Sequence, residues 1–231
     1  MAISVGFYRH VNKWLVDQHA KELLFRPFET NVNPYKADVF IVGAHPTPVL
    51  HLNIDQSKLY ANSLVNREEF MTLFPDYLKM TSRDVKGAIR FTDALEKLGV
   101  SSVISYVNAL TAKNLTDLKK QRKDNHEAFE HGKSIFKQVL EEIQPPIILL
   151  HGNYALEQFR ENLLDYFVEF GHNSRKLEDL IGEGDFGKIL YKNGKESIVV
   201  ASKSLSSFKE NDETFAEVVK HLQKTKASLN R

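Results

Sequence analysis

The sequence predicts an α/β fold of three layers, α/β/α, with a mostly parallel central sheet. Three observations predict it. Short apolar runs rich in β-branched residues lie at 39–42, 102–106, 147–150 and 197–201. Stretches with apolar residues at helical spacing alternate with these runs, the pattern of parallel βαβ units. Each run leads into a polar or glycine-bearing loop, and in such sheets ligands bind beyond the carboxyl ends of the strands.

The chain has 231 residues, of which 42% are hydrophobic. That is enough for one substantial core, so a single domain over 1–231 is expected. Lys plus Arg number 31 and Asp plus Glu 30. No global field therefore draws in nucleic acid or a membrane, and any such contact needs a local patch. The lack of cysteine excludes disulfides, thiolate metal sites, a cysteine-ligated iron–sulfur cluster and a Cys nucleophile. Residues 1–10 show no basic stretch followed by an apolar core, and no apolar run approaches the length of a membrane span. A cytoplasmic monomer without a signal peptide is expected. No loop has the Gly-rich dinucleotide or P-loop pattern, and neither a cofactor nor a metal is expected.

Taken in order, Phe7, Val11, Trp14 and Leu15 recur at helical spacing and predict an amphipathic helix over 4–24. Residues 27–34, between two prolines, connect it to the first strand. After that strand Gly43 lets the backbone turn, and Pro46 and Pro48 hold the loop extended and stiff, with His45 aimed off the strand end. Residues 47–57 read as irregular. Residues 58–88 are mixed, with a helical turn or two at 68–73 that Pro75 interrupts. Ile89, Ala94, Leu95 and Leu98 predict a helix that Gly99 ends.

Past the second strand, 113–123 is strongly basic, with Lys113, Lys119, Lys120, Arg122 and Lys123. Phe129, Ile135, Phe136, Val139, Leu140 and Ile143 predict a long helix with one apolar face, stopped by Pro145-Pro146. His151-Gly152-Asn153-Tyr154 is the exit loop of the third strand, and Leu156, Phe159, Leu163 and Tyr166 mark the next helix. Residues 171–185 read as a surface loop. Asn193-Gly194 between two β-rich runs predicts a hairpin. Phe215, Val218, Val219 and Leu222 form a closing helix, followed by a frayed Lys-rich tail. Four exit loops, 43–48, 108–113, 151–154 and 202–207, are expected to converge. They carry His45, Asn108, Asn153, Ser202, Ser204 and Ser207.

Four segments in these loops are Gly43-Ala44-His45-Pro46, Tyr106-Val107-Asn108-Ala109-Leu110-Thr111, Leu149-Leu150-His151-Gly152-Asn153-Tyr154-Ala155 and Ala201-Ser202-Lys203-Ser204-Leu205-Ser206-Ser207. In their order, and at about the spacing, they resemble the motifs of the uracil-DNA glycosylase superfamily, a resemblance that runs over 37–208. It implies a uracil-DNA glycosylase-like fold and a divergent protein of DNA repair that binds a flipped-out base, with hydrolysis of an N-glycosidic bond as its chemistry. The implied partner is DNA, single-stranded DNA included, or a nucleobase or nucleoside. By the same resemblance Asn108, Tyr60 and Ala44 are the base-binding residues. Asn153, Lys203, Ser204 and Ser207 are the DNA-phosphate residues. The departures fall on the catalytic pair. His45 stands where the family has a water-activating Asp or Asn. Ser202 stands where a His stabilises the departing base, and Lys203 replaces the Pro after it. Weak or absent release of uracil from DNA is expected.

The chemistry gives each residue type a reason. A base in a duplex must be flipped out before its glycosidic bond can be attacked. A uracil edge offers a carbonyl beside an N–H, and the carboxamide of Asn108 has both complements; its plain alternative is a cap at a strand end. A neutral His45 orients or deprotonates water, whereas a protonated one opposes a cationic sugar; its plain alternative is a structural loop histidine. Tyr60 is a candidate stacking ring or a core residue. The 113–123 run tracks a DNA backbone or is a solvated helix face. Two other functions stay open: a non-catalytic nucleic-acid-binding module, and a hydrolase of a small nucleoside-like ligand. A basic concave rim favours DNA, and a closed, deep pocket favours the small ligand.

Overall fold

The four apolar runs come together as the centre of one sheet. The computed structural model describes residues 5–15, 22–171, 176–181, 183–210 and 212–229. Along the chain these form α1 (Val5–Leu15), β1 (Phe28–Thr30), β2 (Val39–Gly43), α2 (Ser57–Ser63), α3 (Arg67–Leu73), α4 (Tyr77–Met80), α5 (Arg83–Lys97) and β3 (Ser102–Tyr106). There follow α6 (Leu115–Asp124), α7 (His126–Ile143), β4 (Ile147–His151), α8 (Asn153–Asn162) and β5 (Phe167–Glu169). The last elements are α9 (Leu177–Leu180), β6 (Asp185–Leu190), β7 (Glu196–Ser202) and α10 (Glu213–Leu229).

The seven strands lie in the order β1-β3-β2-β4-β7-β6-β5. The neighbours β3, β2, β4 and β7 are parallel, as the sequence predicts. β1 is antiparallel to β3, and the β6–β7 hairpin and β5 run antiparallel at the other edge. Every residue of β2, β3 and β4 is buried. Both faces of the central sheet are thus covered, the environment in which near-continuous apolar strands are stable.

Topology sets where the chemistry sits. From β2 the chain crosses to β3 on one side, then returns past β2 to β4 and on to β7. Connections leave the neighbours β2 and β4 in opposite directions, which opens a crevice at their carboxyl ends. The register brings those ends level, with Gly43 opposite Tyr106 and His151 opposite Ser202. Gly152 makes the turn from β4 straight into α8 with φ 85°, a left-handed conformation that strains any other residue.

The sequence expectations depart from the structure mostly at element ends. The first helix is shorter than 4–24. It is described over Val5–Leu15, residues 16–21 lie outside the described residues, and Glu22 and Phe25 bridge to Asn53 and Leu110. The mixed stretch 58–88 becomes three short helices and the start of α5. Residues 171–185 are not simply a loop, because they include α9 and the start of β6; 172–175 and 182 lie outside the described residues. Nor does the Lys-rich end fray after Leu222. Helix α10 continues to Leu229, and Lys226 Nζ donates to Asp38 Oδ2 and to the Gly99 carbonyl, both at 2.8 Å. Among the described residues no helix is long and apolar enough to cross a membrane.

Candidate functional site

The crevice between the ends of β2 and β4 is a cleft of about 550 Å³. Its floor is Gly43, Ala44 and His45 from the β2 exit, Tyr106 at the end of β3, and His151 at the end of β4. Its walls are the first turns of α5, α6 and α8, the short helix α9, and Lys203 and Ser204 from the β7 exit. Loops of all four parallel strands, or the helices that follow them, therefore reach one site.

His45 is 8% exposed. Its Nδ1 lies 3.2 Å from the Pro46 carbonyl. A carbonyl only accepts, so Nδ1 carries the proton in the neutral ring and Nε2 keeps its lone pair. Burial lowers its pKa below the ordinary histidine value. The Pro46 carbonyl, Asp84 and Asp117 oppose that shift and Arg26 adds to it. The ring is neutral at pH 7 and can take a proton. His151 is buried more completely, and burial brings its pKa down to about 4 against the pull of Asp84. Its ring lies against Gly43, where an added Cβ would come 2.8 Å from Nε2, and its Nδ1 is buried without a hydrogen-bond partner.

Asp84 stands in the first turn of α5, where the N-cap Ser82 accepts from the Val85 N–H. Its Oδ1 accepts a hydrogen bond from Ser204 Oγ, which ties α5 to the β7 exit. Tyr154, in the first turn of α8, offers a half-buried ring, with Lys119 Nζ 5.5 Å from its centroid. Leu177, Glu178 and Ile181 from α9 complete the far wall.

The structure gathers five of the residues selected from sequence, Ala44, His45, Asn153, Lys203 and Ser204, at this cleft. Four others lie outside its lining. Asn108 is 1% exposed. Its Nδ2 donates to the Phe129 carbonyl at 3.1 Å and its Oδ1 accepts from the Leu110 N–H at 3.0 Å. Its carboxamide thus caps the strand end, the plain alternative, buried outside the lining of the cleft. Tyr60 is core: it is 2% exposed and packs against Phe70 and Phe74. Ser202 is 1% exposed, and its hydroxyl donates to the Lys203 carbonyl. A hydroxyl so enclosed is no substitute for a histidine that meets a departing base. Ser207 is on the surface, donating to the Ser204 carbonyl.

Asp84, His151, Tyr154 and Glu178 were not among the residues selected from sequence. Asp84 had a legible signal, since Ser82 before an acidic first turn and an apolar run is a helix start. Glu178 had none, because α9 is four residues long in a polar stretch.

The charge lining the cleft is mixed. Among the described residues, two carboxylates, Asp84 and Glu178, line it with one cation, Lys203. Lys203 itself pairs with Asp212 at 3.2 Å and lies over the Phe215 ring. In the basic run, Lys120 pairs with Asp124 and Arg122 with Glu161 on the exposed face of α6. Among the described residues no group of three His, Cys, Asp or Glu side chains is placed to hold a metal ion. No family model matches the chain, and no curated protein matches it in sequence.

Proposed function

We propose that this chain is a divergent uracil-DNA glycosylase-like protein, on a three-layer scaffold, whose cleft binds a nucleobase or nucleoside for hydrolysis of its N-glycosidic bond. The observation that carries the reading is His45, a buried, uncharged imidazole with Nε2 free, in a cleft where the exits of all four parallel strands meet. Such a nitrogen orients water and accepts its proton. Tyr154 takes the stacking role the sequence reading gave to Tyr60, and Asn153 the edge-reading role it gave to Asn108.

The charge and volume of the cleft favour a nucleoside-sized ligand over duplex DNA. Its volume falls within the roughly 300–1,000 Å³ of small-molecule sites. Its carboxylates repel phosphodiesters and accept hydrogen bonds from sugar hydroxyls.

Titration calorimetry with uracil, uridine, deoxyuridine and a uracil-containing single-stranded oligonucleotide tests the reading. We expect a nucleoside to bind, Tyr154→Ala and Asn153→Ala each to weaken it about tenfold or more, and folded Asn108→Ala to bind as the parent does. Binding of the oligonucleotide alone would return the reading to DNA. Binding of none of the four would reject it.

A further inference from the structure

We propose that Asp84 is a catalytic residue of this cleft, supplying from the first turn of α5 the carboxylate that the β2 exit lacks. The inference rests on the nucleoside reading above and adds a residue from an element outside the four sequence motifs.

Three observations support it. Asp84 and His45 line the same cleft from different elements. The Asp84 charge acts on both cleft histidines, His45 and His151. Its orientation is held from a third element. Ser204 Oγ donates to Oδ1, while Ser204 is itself fixed by Ser206, 2.7 Å away through its hydroxyl and 3.1 Å through its N–H. That bond uses Oδ1 and leaves Oδ2 as an acceptor for substrate.

The step is a hydrolysis. A water oxygen bonds to the anomeric carbon as its proton passes to His45 Nε2. The C–N glycosidic bond breaks and its electron pair leaves on the base. The base nitrogen then takes a proton, which the imidazolium or solvent supplies. Positive charge builds on the sugar ring before the new bond is complete, and a second positive charge forms on the imidazole. A carboxylate facing the same cleft, its Oδ1 held by Ser204, stabilises the transition state more than the ground state. The plain alternative is an acid that only favours the N-terminus of α5.

Asp84→Asn separates the two, since its amide oxygen still accepts from Ser204 while the charge is gone. We expect single-turnover base release at saturating nucleoside to fall about 10²-fold. The groups facing His45 are Asp84 and Asp117, which hold its proton, and Arg26, which repels it. Removing the Asp84 charge should therefore move the acid limb of the rate profile to lower pH. In Asp84→Ala, added formate should restore part of the rate, which also serves if Asp84→Asn does not fold. Parent-like release by Asp84→Asn, or an unmoved acid limb, would overturn the proposal. Nucleoside binding by the parent without release of base from any substrate would also overturn it, while leaving the binding reading intact. Absence of nucleoside binding would remove the binding reading, and this proposal with it.

Discussion

A proton added to His151 would sit in a buried ring that packs against Gly43 and has no partner for Nδ1. Burial lowers the pKa to about 4 from an unfolded value near 6.5, with Asp84 partly opposing. The unfolded chain therefore binds the proton first as pH falls. The contribution to stability is complete above pH 6.5, is lost between 6.5 and 4, and changes no further below that. Its full size is about 3 kcal/mol. Denaturant titrations of the parent and His151→Gln at pH 7, 5.5 and 4.5 should show the parent losing more stability; equal losses would place the acid sensitivity elsewhere. At this scale the sequence shows which residues stand at strand ends but not which way they point. His45 and Asn108 have similar addresses, yet one opens on the cleft and the other turns under α7. There an added Cβ on Gly132 would fall 2.1 Å from its Oδ1. That difference arises in packing between residues far apart in the chain, which no local pattern records.

Among the elements, α5 governs the cleft wall through a close approach. A Cβ on Gly87 would lie 1.8 Å from the Leu205 carbonyl oxygen, so the helix sits directly on the 204–206 turn. Gly87→Ala must push that turn away, and with it the Ser204 contact to Asp84. We expect a loss of about 1–3 kcal/mol by denaturant titration together with weaker nucleoside binding. Parent-like affinity in the folded variant would mean that the turn does not set the wall. Three of the four main strands were legible because four apolar residues in a row have few other ways to be buried; β3 was legible from its β-branched Val103 and Ile104 and its Tyr106. The hairpin was legible because Asn-Gly suits the turn it makes. The stretch 58–88 was not. Tyr60, Phe70, Phe74 and Tyr77 cluster across three short helices and follow no single period. β5 and α9, three and four residues long, take their structure from neighbours.

For the whole molecule, near-neutral charge and a cleft bearing two carboxylates argue against counterion release as the source of affinity. Nucleoside binding should change little between about 50 and 200 mM salt. A protein that grips several phosphates loses about 10³–10⁵ in affinity over that interval. A steep slope in the titrations would point to a phosphate-tracking surface instead. The strand order also has a consequence for synthesis. Strand β4 pairs with β2 on one side and with β7 on the other, and β7 is made some fifty residues later. As the chain emerges from the ribosome, the run Ile147-Ile148-Leu149-Leu150 is for that interval an apolar edge with unpaired N–H and C=O groups. Such an edge is a template for pairing with another nascent chain. The hairpin that delivers β7 therefore does more than finish the sheet. Until it docks, the strand that ends in His151 stays sticky, and slow translation between 152 and 196 would prolong its exposure.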